Sequence, residues 1–389
     1  MIFEFDRYVQ DKPYPNLARH QAVPYTAEWR QFSQHWPFSE PPKLIEYCND
    51  ESVPLDISTS KHYLIAVSFF DFSIEWFKLI PADRLTQMQQ GKLNLVFFYN
   101  EGDNPERIQQ HLLQQCKDYH VPESMLFLIL GNSSADLLNR ACWFPDHELL
   151  YRKRNRAVVP LLYHERPRKH LFTALVRTHK WWRATTMTEF WRRGWNSQGF
   201  FSYNADITVG EQEHDNPLEV DQFEGLRSDT HKFLQSCPFK SDNLTSNQHN
   251  DHHLCVSEHY TDAYLNVVLE THMDADQSGG VFLTEKTFKP IKHAQPFVIF
   301  GAVNTLARLR DLGYRTFDNI IDTSYDSITD TTQRWIKLIS ILDDMFSGGH
   351  QNMHKIYCAC HQDLVHNQQH FLSDKQDRLN KLLKKVICE

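Results

Sequence analysis

Val281-Phe-Leu-Thr-Glu-Lys-Thr-Phe-Lys-Pro290, followed a few residues later by Gln295-Pro-Phe-Val-Ile-Phe-Gly301, decides how this chain is read. The stretch opens on an apolar pair, sets Glu285 and Lys286 at a turn, continues as a short amphipathic segment and closes in a buried strand ending at glycine. Strand, charged turn, helix, strand is the pattern of an α/β nucleotide site, whose ligand lies beyond the carboxyl ends of the strands. A carboxylate there accepts hydrogen bonds from ribose hydroxyls. Lys286 and Lys289 can neutralise a diphosphate near the helix N-terminus, whose dipole also favours anions.

Outward from that stretch, short apolar runs alternate with helical patterns. Residues 63–70, 93–99 and 125–130 have strand length and composition, and Gly131-Asn132 closes the last of them. A helical pattern over 106–116 separates the second run from the third, a spacing that favours a parallel sheet covered on both faces. A basic, proline-punctuated passage over 151–168 leads to a further strand at 170–176 and a helix over 183–193 that ends near Gly194. Beyond Trp335 the chain reads as helical to its end, where Leu379, Leu382, Leu383 and Val386 form one apolar stripe suited to core packing. The expectation is an α/β chain of two Rossmann-like domains facing a central cleft, residues 1–165 and 166–389.

Length and composition agree with that expectation. A chain of 389 residues accommodates two domains that each bury a core. Its 41% hydrophobic and 23% charged content is that of a soluble globular protein. No run approaches the ~20 apolar residues of a membrane span. The N-terminus, Met1-Ile-Phe-Glu-Phe-Asp, lacks the features of a signal peptide, so a cytoplasmic location is expected. A net charge of −8 argues against binding nucleic acid through bulk electrostatics, although two basic runs, 152–156 and 166–170, read as solvated linkers or anion-binding patches. Eight cysteines scattered without a signal point to a reducing compartment. Cys358, Cys360 and His361, with His354 nearby, look metal-like, but positions i and i+2 do not share a helix face and no zinc site is expected. His249, His252, His253 and Cys255 read as chance clustering among 22 histidines.

Phe282-Leu-Thr-Glu-Lys-Thr-Phe-Lys289 resembles the Thr-Glu-Lys-(aromatic)-(Arg/Lys) motif of the α-1,3-fucosyltransferase family and of fucosyltransferase-like glycosyltransferases of bacteria and large phages. The continuations 296–301, 305–317 and 321–326 resemble the same relatives. Val176-Arg-Thr-His-Lys-Trp-Trp-Arg183 is similar to the family's Asn-x-x-x-x-x-Arg segment and to the Arg-x-x-x-His-Arg segment of the phage-type members. The likeness covers roughly the second half of the chain. It implies a GT-B fold, with 1–165 as the acceptor side and 166–389 as the nucleotide-sugar domain. It also implies that Arg183 and Lys286 contact the donor diphosphate, that Lys289 is a second phosphate ligand and that Glu285 contacts the ribose. Thr284 belongs to the same motif. Arg177, His179 and Lys180 share a strand-to-helix turn with Arg183 that is placed to hold phosphate oxygens. Glu270 ends another apolar run and either faces the same cleft or is a solvated strand-end carboxylate.

Glycosyl transfer to a hydroxyl needs a base, which the resemblance places on a carboxylate of the first domain. Glu101 and Asp103, just after a strand, are the candidates, with Asp71 and Glu75 as the alternative. Asp274-Ala-Asp276 has the look of an Asp-x-Asp metal element, but the nearby cations can supply the same neutralisation. The expected activity is metal-independent transfer from a nucleotide-sugar to a hydroxyl of a glycan, with no further cofactor; the resemblance implies that the donor is a GDP-sugar and that the transfer is inverting. Its rivals are transfer to a modified base in phage DNA and a non-catalytic nucleotide- or glycan-binding protein.

Overall fold

The computed structural model describes residues 3–4, 62–67, 70, 72–80, 82–99, 101–145, 147–148, 151, 165–205, 213–241, 256, 258–274 and 279–373. Asp71, Asp276, the basic run 152–156, the histidine cluster 249–255 and the apolar stripe 379–386 lie outside them. The protein is α/β, and its described residues divide into two compact units. One holds those up to 148 together with 279–282, and the other holds 151–274 and 283–373.

The first unit carries a fully parallel sheet of β1 (Phe3–Glu4), β2 (His62–Val67), β3 (Asn94–Tyr99), β4 (Leu126–Leu130) and β5 (Ala141–Trp143), adjacent in chain order. Every residue of β4 is apolar and buried, as parallel strands covered on both faces require. Helix α1 (Ala82–Gln89) follows β2, and α2 (Pro105–Asp118) follows β3. α2 starts where it does because the Asn104 side chain accepts the N–H groups of Glu106 and Arg107, and Pro105 suits the first helical position. Ile108, Leu112 and Cys116 form its buried stripe and share a core with Leu95, Phe97 and Tyr99 of β3 and with Leu126, Leu128 and Leu130 of β4.

The apolar pair Val281-Phe282, read above as the strand that opens the pattern, belongs to no sheet. Instead Phe282 forms a single antiparallel bridge to Asn132, while Val281 N donates to Ser133 Oγ at 3.0 Å and Ser133 N to Val281 O at 2.9 Å. The run is too short for a ladder and is preceded by a tight passage. Gly279 has φ +71°, and a Cβ on Gly280 would lie 2.6 Å from Asn132 Oδ1.

The second unit holds β6 (His170–Val176), β7 (Phe200–Tyr203), β8 (Ala263–Leu269) and β9 (Phe297–Phe300), parallel and ordered β7-β6-β8-β9. The chain adds β7 on one side of β6 and then β8 on the other, so the sheet reverses direction between β6 and β8. Crevices at such reversals are where open α/β sheets bind ligands. The connecting helices are α3 (Trp181–Arg192), α4 (Leu226–Gln235), α5 (Glu258–Thr261), α6 (Glu285–Lys292) and α7 (Thr305–Asp311); α8 (Thr331–Ser347), α9 (Gly349–Ala359) and α10 (His361–Leu372) complete the unit. α3 begins two residues before the expected start, and Gly194 follows it in the left-handed conformation at φ 70°.

In the 166–170 run Arg168 is buried, while Arg166 and Lys169 stay exposed. Arg166 and Lys169 pair with Asp262 at 3.2 and 2.9 Å, and the buried Arg168 donates to the carbonyls of Tyr260 and Ala263 with its guanidinium 3.9 Å from the Tyr357 ring centre. Among the described residues no helix is long and apolar enough to cross a membrane.

Candidate functional site

β8 is buried along its whole length and delivers Glu270, 1% exposed, to the edge of the reversal. A carboxylate so placed must find donors or pay a large desolvation penalty. Glu270 finds them on both sides of the next turn. Its Oε1 accepts Thr284 N at 3.2 Å and the Thr287 hydroxyl at 2.5 Å, and its Oε2 accepts Thr271 N at 3.2 Å and the Thr284 hydroxyl at 2.6 Å. It therefore ties the exit of β8 to the N-terminus of α6.

Thr284 is the N-cap of that helix, extended at φ −111° and ψ 179°, and its Oγ1 accepts Lys286 N at 3.3 Å. Glu285, which the sequence places at a turn, is the first helical residue and is buried at 7% exposure. Its Oε1 lies 3.6 Å from Lys286 Nζ. Lys286 itself is half-buried, and its Nζ donates to Thr271 Oγ1 at 3.3 Å and to Thr284 Oγ1 at 3.1 Å.

Arg183 stands in the first turn of α3 and is 4% exposed. Its Nε and Nη2 donate to the main-chain carbonyl of Glu270 at 3.1 and 2.5 Å, and its Nη1 to that of Thr178 at 3.2 Å. The guanidinium thus clamps the exit of β6 to the exit of β8, across the reversal. The buried His179 ties β6 to β7 in a similar way, with Nδ1 2.7 Å from the Tyr203 hydroxyl.

His272 reports the electrostatics. Its imidazole is held down at about 3, first by desolvation and then by the charges of Lys180, Arg183 and Lys286. Cations from the β6 exit, from α3 and from α6 thus act on one ring. An anion bound beside them would gain from the same field.

Of the residues singled out from sequence, the second unit brings together Arg183, Glu270, Thr284, Glu285 and Lys286. Arg177 is half-buried at the β6 exit. Lys289, also half-buried, lies one turn along α6 and adds to the charge that lowers His293. Glu101 and Asp103 follow β3 in the first unit, Glu101 half-buried and Asp103 exposed. Asp103 accepts the hydrogen bond of the buried Tyr99 hydroxyl. Burial, then the charges of Asp103 and Glu101, push that phenol well above its ordinary value.

Among the described residues no three His, Cys, Asp or Glu side chains gather as a metal-ligating group. Asp274 is half-buried, and its charge acts on Arg334. Cys358 Sγ lies 3.6 Å from His354 Nε2, while Cys360 is buried with its thiol pushed up to about 12 by desolvation.

Sequence reasoning missed Thr271, His272, Thr287 and Arg334. Thr287 had a usable signal, three residues after the Thr284 cap. The other three had none, because their partners come from elsewhere in the fold. No protein-family model, curated protein or solved structure matches this chain.

Proposed function

We propose that the chain is a glycosyltransferase of the GT-B class, moving a sugar from a nucleoside-diphosphate donor to a hydroxyl acceptor on a glycan. The observation that carries this reading is the α6 N-terminus at the reversal of a parallel sheet. There a half-buried Lys286 is held among a buried Glu270, a capping Thr284 and the clamp of Arg183. Such a place suits a diphosphate, through both the ammonium and the helix dipole.

In this reading Lys286 meets a diphosphate oxygen and stabilises the charge that grows as the sugar–phosphate bond breaks. Lys289 adds charge, and Arg183 acts by fixing the two strand exits. Glu285 accepts from the ribose hydroxyls. Glu101 or Asp103 takes the acceptor proton as the new glycosidic bond forms and the bond to the leaving diphosphate breaks; the fucosyltransferase resemblance favours inversion in that step. The fucosyltransferase resemblance favours a GDP-sugar, and the lysines supply the neutralisation for which other transferases use a metal.

A thermal-shift panel of nucleoside diphosphates and their sugars, run with and without EDTA and Mn²⁺, tests the reading. Ligand at a hundred times its Kd should stabilise by about 2.7 kcal/mol. A shift with GDP that ignores EDTA is expected. Lys286→Ala should keep the fold and lose at least about tenfold in GDP affinity, the scale of a charge-assisted hydrogen bond; unchanged affinity would remove the site from this helix.

A further inference from the structure

The hydrogen bonds around Lys286 carry a direction. An ionised carboxylate only accepts, so the Thr284 hydroxyl, 2.6 Å from Glu270 Oε2, commits its single proton to Glu270. Its lone pairs are thereby turned away from Glu270, and both meet Lys286, at its main-chain N–H (3.3 Å) and at its ammonium (3.1 Å). The Thr271 hydroxyl receives the same ammonium at 3.3 Å, while the Thr271 main-chain N–H is fixed on Glu270 at 3.2 Å. Glu285 Oε1 borders Lys286 Nζ at 3.6 Å, and the lysine side chain keeps 30% of its surface exposed.

Capping alone does not account for this arrangement. Thr284 is a cap and Thr287 ties the first turn, but the Thr271 hydroxyl lies outside the helix and bonds its ammonium.

We infer that Glu270, Thr284 and Thr271 are positioning residues: the buried carboxylate, bonded to the Thr284 hydroxyl and to the Thr271 main-chain N–H, fixes the two threonines whose hydroxyls hold the Lys286 ammonium in one direction, ready for a phosphate oxygen. The inference rests on the proposed donor site. Two of the three ammonium protons go to the hydroxyls, and the third, bordered by Glu285 Oε1 at 3.6 Å, is the one that meets the ligand. A free lysine would lose rotamer freedom on binding, and here that ordering is made during folding. Glu270→Gln is the sharpest perturbation, because an amide turned toward Thr284 donates to its hydroxyl and competes with the lysine for the same lone pairs.

The test uses the full chain with Thr271→Val, Thr284→Ser, Thr284→Val and Glu270→Gln, and two readouts. The first is the rate of reductive methylation of Lys286 without ligand, followed by mass spectrometry. The second is GDP affinity by calorimetry, in the wild-type and Lys286→Met backgrounds. Thr271→Val should leave Tm unchanged, label Lys286 several-fold faster and bind GDP about fivefold more weakly, the scale of one hydrogen bond. That loss should vanish in the Lys286→Met background, and Thr284→Ser should behave as wild type.

Wild-type labelling in Thr271→Val, or a GDP loss that persists without Lys286, overturns the inference while leaving the donor site standing. If the wild-type chain binds no nucleoside diphosphate, the functional reading falls, and the labelling rates alone decide whether the tether exists.

Discussion

The guanidinium of Arg334, 1% exposed, serves main-chain carbonyls from three segments: Nε donates to Gly301 at 3.1 Å, Nη1 to Ile328 at 2.6 Å and Thr329 at 3.1 Å, and Nη2 to Met273. Arg334→Met would strand those acceptors. With each buried unsatisfied group costing about 1–3 kcal/mol, a loss of at least about 3 kcal/mol is expected from urea denaturation. Arg334→Lys should recover only part of it, because an ammonium lacks the fork. His293 poses the opposite problem. It is 2% exposed, stacked on Tyr260 at 4.5 Å, and neither ring nitrogen has a hydrogen-bond partner among the described residues. Burial, then Lys292 and Lys289, lower it from 6.5 to about 3. Between those values the unfolded chain binds the proton and the folded chain does not. The stability contribution is therefore complete above pH 6.5 and is lost as pH falls toward 3, at up to about 1.4 kcal/mol per pH unit. His272 adds a loss of the same sign in the same window. His293→Phe should raise stability at pH 7 and flatten the slope between pH 6.5 and 5; an unchanged slope would show that this ring is not held neutral. Neither residue was legible beforehand, because no periodicity tells a buried arginine or histidine from an exposed one.

Elements were legible where local chemistry specifies them. β4 is an unbroken apolar run, β3 is one from Leu95 onward, and α2 carries the helical pattern read over 106–116. β7, four residues with only alternate positions buried, gives too weak a signal to be read. The start of α7 was equally hidden. Asn304 before it is left-handed at φ 67°, and the orphan N–H groups of Leu306 and Ala307 are met from a distance by the two carboxylate oxygens of Asp326, at 2.8 and 2.9 Å. Asp326→Ala should cost about 1–2 kcal/mol in urea denaturation, the range for losing a cap. Gly199 marks another element-level constraint. A Cβ there would lie 2.6 Å from the carbonyl oxygen of Phe172, whose ring packs on Phe190 and Phe346 at 5.5 and 5.1 Å. Gly199→Ala should lower Tm by separating β6 from the start of β7, whereas Gly194→Ala, with nothing within 4 Å but φ +70°, meets only backbone strain.

For the molecule as a whole, alternating apolar runs and helical patterns foretold an α/β chain with parallel sheets, since those signals repeat along the sequence. The side on which each strand adds, and the return of 279–282 to the first unit, depend on distant pairings and left no local trace. If the donor site lies in the second unit, GDP should slow hydrogen exchange at 178–183, 270–272 and 284–287. Slowing centred on β3 and β4 instead would move the site to the first unit. The return segment also sets a timetable for synthesis. Ser133 and Asn132 wait for Val281 and Phe282, so the first unit cannot be finished until those residues have left the ribosome. By then β6, β7 and β8 have already been made. At about 5–20 residues per second, the nascent chain carries an incomplete first unit for roughly 7–30 s, longer than many small domains need to fold. A stalled chain ending before residue 279 should therefore expose its first unit to protease, and the released full-length chain should protect it.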